Sequence, residues 1–138
     1  MKSKPDSNEV LYMEEKMMEM IRKVPKDHKD YPEKLKAYPD MPEALYIKGQ
    51  LPKEEKSSVA IVGARACSTY GRIQAFQYAK TLSSAGVQII SGMAYGIDAE
   101  AHKGALEGKT PTYAILANGV DICYPAGNRN LYQRIQNG

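Results

Sequence analysis

Apolar and polar positions repeat one arrangement three times between residues 59 and 135. A β-branched run, Val59-Ala-Ile-Val62, breaks abruptly into Gly63 and then a cation, Arg65. Val87-Gln-Ile-Ile90 breaks in the same manner into Ser91-Gly92-Met93-Ala94-Tyr95-Gly96, and Tyr113-Ala-Ile-Leu116 into Ala117-Asn118-Gly119. Between these runs the apolar period changes. Ile73, Phe76, Ala79 and Leu82 fall at helical spacing from Gly71 to Ala85, Ile97, Ala101 and Ala105 do so as far as Gly108, and Leu131 with Ile135 marks a last helix after Tyr124-Pro125. Strand, glycine loop and helix, three times over, predict an α/β fold with a parallel sheet of at least three strands. Continuous apolar runs suit strands covered on both faces, so the first is expected to be a buried strand that delivers Arg65.

Right-handed crossovers put all three strand ends on one edge, where the glycine loops at 63, 92–96 and 119 converge. That edge is the expected site. Gly86 and Gly108 end helices at the opposite edge, where capping explains them better than ligand contact.

The N-terminal part follows a different pattern. Asp6 with Glu9 has the form of a capping box, and Val10, Met13, Met17, Met20, Ile21 and Val24 then fall three or four apart, which predicts one amphipathic helix from roughly Ser7 to Lys23. Its methionines suit core packing better than an adaptable binding surface. From Pro25 to Pro52, prolines at 25, 32, 39, 42 and 52 interrupt any regular period, with Tyr31-Pro32 and Tyr38-Pro39 extended. This stretch reads as a connector over the main domain, with a short strand at Leu45–Gly49 and a solvated turn at Lys53–Lys56. The expected organisation is therefore an N-terminal helix and linker over 1–30 and a main domain over 31–138.

Composition narrows the function classes only a little. A chain of 138 residues, 43% hydrophobic, can bury one core. Its net charge of +3, from 19 basic against 16 acidic residues, permits phosphate binding without requiring it. Cys67 and Cys123 lie far apart with no Cys-x-x-Cys and no histidines at zinc-finger spacing, so two reduced thiols and no metal are expected. No apolar run approaches 20 residues and the start of the chain lacks a signal-peptide pattern, which suggests the cytoplasm.

The expected site suits an anion. A glycine past a strand end leaves amides free, and an arginine beside them offers a bidentate fork to phosphodiester oxygens. Nicotinamide and Walker-type sites are disfavoured, because Gly63 is followed by Ala-Arg, the second strand ends in Ser91-Gly92 rather than an acid, and no Gly-x-x-x-x-Gly-Lys occurs. Asp98 and His102, four apart on a helix, fit a metal pair, an acid and base pair, or a carboxylate that orients a loop and holds the histidine; the last is preferred. Ser68 and Ser91 lack a histidine and acid partner, so nucleophilic catalysis is not expected. An alternative for Arg65 is an ion pair with Asp98 that ties two loops together.

These motifs carry a resemblance. Val59-Ala-Ile-Val-Gly-Ala-Arg65 with Tyr70-Gly71, then Ser91-Gly92-Met93-Ala-Tyr-Gly96-Ile-Asp98 with Ala101-His102, then Gly119-Val-Asp121 with Tyr124-Pro125 resemble the DNA-processing protein A (DprA/Smf) family. Upstream, Tyr31-Pro32, Leu35, Pro42, Leu45-Tyr46 and Gly49 are similar to the segment that leads into that family's domain, so the resemblance runs from about Tyr31 to Gly138. It implies a Rossmann-like domain of a protein of natural transformation (competence) and DNA recombination that binds and protects single-stranded DNA and loads the RecA recombinase. The family is not known as enzymatic and implies no cofactor. Carried over by motif, Arg65 holds DNA phosphate, Gly63 and Ala64 allow close backbone approach, and Ser91, Gly92, Gly96 and Gly119 line the same pocket. Ser68, Tyr70, Gly71 and Met93 complete the implied binding set, with Asp98 and His102 as loop-orienting residues.

The family domain continues with further strands and later Ser-Glu-Tyr-like and Arg-Asn-Arg-like segments, so the resemblance implies a sheet incomplete here, a gene product cut short at its C-terminus, and self-association through unpaired edges. Two other functions compete with DNA binding. One is a nucleotide-binding or nucleotide-processing Rossmann-like protein related to phosphoribohydrolases, although their Gly-Gly-Gly-Thr-like loop and paired glutamate are missing from this sequence. The other is an interaction fragment without a ligand.

Overall fold

Asp6 and Glu9 do form a reciprocal cap: the Glu9 amide donates to Asp6 Oδ1 at 2.8 Å and the Asp6 amide to Glu9 Oε2 at 3.3 Å. That cap starts helix α1, Ser7–Glu19, in a computed structural model that describes residues 3–137. The helix stops short of the expected Lys23. Ile21–Pro25 instead form strand β1, antiparallel to a later strand, Ala44–Lys48, with Ile21 opposite Lys48 and Pro25 opposite Ala44. Pro25 cannot continue a helix, and a strand partner some distance along the chain satisfies backbone groups that local spacing alone assigned to helix.

Between the paired strands lies one short helix, α2, Glu33–Lys36, and the partner Ala44–Lys48 is β2, close to the expected strand at Leu45–Gly49. Val24, Tyr31 and Ile47 are buried here, and the Tyr31 hydroxyl donates to the Pro42 carbonyl at 2.7 Å. Along α1 the described apolar side chains Val10, Leu11, Tyr12 and Met13 are exposed, as is Met20 beyond it, so the expected methionine packing is not found for them. Met17 lies outside the described side chains. The chain divides into compact units of residues 1–50 and 51–138, a division that does not coincide with the expected boundary at residue 30.

In the second unit the three apolar runs become β3 (Ser58–Ala60), then, after helix α3 (Thr69–Ser84), β4 (Gln88–Ser91), and, after helix α4 (Ile97–Leu106), β5 (Thr112–Ala114). A 3-10 turn at Ala126–Asn128 leads into α5, Arg129–Asn137. The sheet is parallel in the order β3-β4-β5, with Val59 opposite Ile89 and Ile89 opposite Thr112. Two successive crossovers of the same hand place α3 and α4 on one face.

Those helices approach closely because the residues between them are small. Ala75, Ala79, Ala101 and Ala105 are buried, and a Cβ on Gly104 would fall 2.2 Å from the Phe76 carbonyl oxygen. Ile89 packs with Ala79, Ala101 and Ala105, flanked by Ile61, Leu82 and Val87. A second cluster of Met93, Ala99 and Leu131, joined by Leu106, Leu116 and Ile135, seats α5. Gly86, at φ +92°, ends α3 as a left-handed cap, as expected. Gly108 does not repeat that role: a Cβ there would lie 2.3 Å from Ser83 Oγ, so its reason is close approach between chain segments.

The expected burial of the first strand is also not met. Ser58, Val59 and Ala60 are all exposed, since β3 is an edge strand among the described residues. Val62 and Ile115, just past the ends of β3 and β5, are 68% and 70% exposed. A run composed for cover on both faces receives helices on one.

Candidate nucleic-acid interface

The carboxylate of Asp98 organises the carboxyl edge of the sheet. Standing in the first turn of α4 and nearly buried, it accepts the Gly63 amide on Oδ1 and the Gly92 amide on Oδ2, each at 3.2 Å. One side chain thus ties the loop after β3 to the loop after β4, and the positive end of the helix favours its charge. The amides expected to be free for an anion already have one. The Gly63 amide, read from the sequence as free for an anion, is thus engaged by Asp98, as is that of Gly92, an arrangement that fits the loop-orienting role read for Asp98.

The two loops are also pressed together through their backbones. Ile97 N–H donates to the Ala64 carbonyl at 3.2 Å, and a Cβ on Gly96 would fall 2.3 Å from the Ala64 oxygen and 2.4 Å from the Arg65 oxygen. With φ at +80° and ψ at −125°, Gly96 occupies a conformation that side-chain-bearing residues avoid. A Cβ on Gly63 would in turn lie 2.8 Å from the Ile97 side chain. Ser91 does not line a pocket: it is buried and donates its hydroxyl to the Ile61 carbonyl at 2.6 Å, extending the β3–β4 pairing past its last regular residue. Met93 is fully buried at φ +66°, its carbonyl accepting from Asn128 Nδ2 at 2.8 Å, so its side chain is core rather than contact surface.

His102 lies one turn further along α4, and it is fully buried. Its Nδ1 is 2.8 Å from Thr112 Oγ1, whose single hydroxyl proton is committed to the Ile89 carbonyl at 2.9 Å. Nδ1 therefore carries the proton and donates. Nε2 is then a bare lone pair with no hydrogen-bond partner among the described residues. Burial pulls the imidazole pKa down from 6.5 to about 4 against the opposing pull of Asp98, so the ring is neutral near pH 7. Asp98 and His102 are thus held by internal contacts, and among the described residues no group of three or more His, Cys, Asp or Glu could hold a metal ion.

What faces solvent is a rim around this clamp. Arg65 is exposed and makes no ion pair among the described residues, so the alternative in which it pairs with Asp98 is not what the structure shows. Ser68 caps α3 by accepting the Gly71 amide at 3.1 Å, which starts that helix just after the arginine. Gly71 packs near Ile97, a Cβ there lying 3.3 Å from its Cδ1, and Tyr70 beside it is 73% exposed. Gly119 lies five residues beyond the end of β5, the strand that β4 separates from β3. The structure brings together Gly63, Ala64, Arg65, Ser68, Gly71, Gly92, Gly96 and Asp98. Gly119, by contrast, belongs to its own turn, where the Ile122 amide donates to its carbonyl at 3.0 Å.

Sequence reasoning missed Asn128 and Gly127, which brace the second loop from the 3-10 turn; no motif announced them. A family model for DNA recombination-mediator protein A matches residues 22–138. Protein Smf of Escherichia coli K12 is 39% identical over 108 residues, covering 78% of this chain and 29% of the relative. DprA of Streptococcus pneumoniae is 38% identical over 107 residues, with 78% and 38% covered. A crystal structure of S. pneumoniae DprA matches with a TM-score of 0.76 at 30% identity, over 95% of this chain and 50% of that one. A Helicobacter pylori DprA structure that addresses that protein's single-stranded DNA binding mode matches with a TM-score of 0.70 at 24% identity, over 86% and 52%, and speaks to the fold alone. The chain spans about a third of the length of these curated relatives and half that of the solved structures. With residues 22–138 matched by one family model, the chain belongs to the DNA recombination-mediator protein A family.

Proposed function

We propose that the sheet edge around Arg65 binds the phosphate backbone of single-stranded DNA, as part of the DNA uptake and recombination work of its family. The observation that carries this reading is Arg65 itself: an exposed cation without an ion pair among the described residues, held on a loop that Asp98 and Gly96 fix in place. A planar guanidinium on a rigid loop meets phosphate oxygens at low entropic cost. The surrounding amides do not supply the grip expected of them, because Asp98 takes those of Gly63 and Gly92. The phosphate contact therefore rests mainly on the side chain.

Family membership does not favour the nucleotide-processing alternative. Loading of RecA and a purely binding, non-catalytic role are the finer parts of the same proposal. Titration of the purified chain with labelled oligo-dT, matched duplex and mononucleotides tests it. Tighter binding of oligo-dT than of duplex is expected, with a shallow salt dependence of about −0.7 in log–log slope per phosphate contact. Equal affinity for duplex, or a preference for mononucleotides, would contradict it.

A further inference from the structure

We propose that Tyr95 is a stacking platform for one unpaired base beside the phosphate held by Arg65. The inference rests on the single-stranded DNA reading above and assigns a further contact to the same edge. Tyr95 is half exposed, 49%, on the loop between β4 and α4. That loop is fixed on both sides of it. Upstream, the Met93 carbonyl accepts from Asn128 and the Met93 side chain is fully buried; downstream, Gly96 presses on the Ala64 and Arg65 carbonyls. The tyrosine therefore stands one residue from the backbone contact that positions Arg65.

The ring is held as well as placed. A Cβ on Gly127 would fall 2.5 Å from the Tyr95 hydroxyl oxygen and 3.2 Å from Cε1, so the hydroxyl edge of the ring rests against glycine backbone that leaves room for it. An immobilised aromatic loses little conformational entropy when a base stacks on it, and stacking accepts any base because each has a π-face. Arginine and tyrosine on two loops joined at Gly96 would then take the two chemical parts of one nucleotide, phosphate and base.

The test compares oligo-dT with an abasic oligomer of equal length and charge. The unmodified chain is expected to bind oligo-dT about five- to hundredfold more tightly than the abasic strand. Tyr95→Ala and Tyr95→Leu should bring oligo-dT affinity down to the abasic level while leaving abasic affinity unchanged, and Tyr95→Phe should keep the difference. Gly127→Ala, which displaces the ring without removing it, should shrink the difference, whereas Tyr78→Ala on α3 should not. Because the sequence contains no tryptophan, Tyr95→Trp supplies a unique fluorophore that oligo-dT should quench and the abasic strand should not. Equal affinity of the unmodified chain for the two strands would overturn stacking and leave the phosphate reading standing. A Tyr95→Leu variant that is folded by circular dichroism yet weakened equally for both strands would also overturn it. Failure of both strands to bind at all would overturn the single-stranded DNA reading and this inference with it.

Discussion

The buried and exposed halves of the strand edge are built from the same motifs and behave as opposites. In the buried half, Asp98, Gly96, Ser91 and Met93 are consumed by internal contacts: two amides on one carboxylate, backbone against backbone, a hydroxyl on the Ile61 carbonyl. In the exposed half, Arg65, Tyr70 and Tyr95 face solvent. A motif most of whose residues look like ligand contacts is, in the fold, largely held by internal contacts and presents a few of them. Substitutions in the buried half should therefore cost folding, and those in the exposed half should cost binding.

The largest effect is expected at Gly96. Gly96→Ala must relieve overlap with two carbonyl oxygens and a positive φ, on the order of 4 kcal/mol of stability, visible as a steep fall in the urea midpoint. A midpoint shift within error would mean that the loops are not pressed together as described. Asp98→Asn should follow at about 3 kcal/mol, since an amide can accept one of the two N–H donors and turns its own NH2 toward the other. An unchanged midpoint would place the clamp elsewhere.

His102 adds a pH dependence to the buried half. Between pH 6.5 and about 4 the unfolded chain takes up a proton on this imidazole that the folded chain refuses, so the folded state binds fewer protons there. The contribution is fully present above pH 6.5, is lost as pH falls toward 4, and levels off below that, about 3 kcal/mol in all. Urea melts across pH 4–7 should show the unmodified chain losing about 3 kcal/mol more than His102→Gln over the whole range; parallel curves would show that His102 does not resist protonation.

The outline of the second unit was legible because its signals are local. Apolar runs that break into glycine and the helical spacing between them each occupy a few consecutive residues, as does the Asp6–Glu9 cap in the first unit. What stayed hidden depends on partners distant in sequence. Ile21–Pro25 read as helix because only Ala44–Lys48 makes them a strand. Gly108 read as a cap because nothing in its neighbourhood names Ser83. The arginine was legible as a candidate phosphate contact, yet the occupation of its neighbouring amides by Asp98 was not, since a carboxylate at the start of a helix suits capping, metal binding and clamping alike.

Arg65 puts the division between clamp and rim to its most direct test, through thermal stability and oligo-dT affinity measured on the same variants. Arg65→Ala should lose ten- to hundredfold in affinity, about 1.5 to 3 kcal/mol, with an unchanged melting temperature, and Arg65→Lys should recover only part because it keeps charge without the planar fork. A lowered melting temperature, with affinity unchanged once corrected for the folded fraction, would contradict the account and move Arg65 from the rim into the clamp.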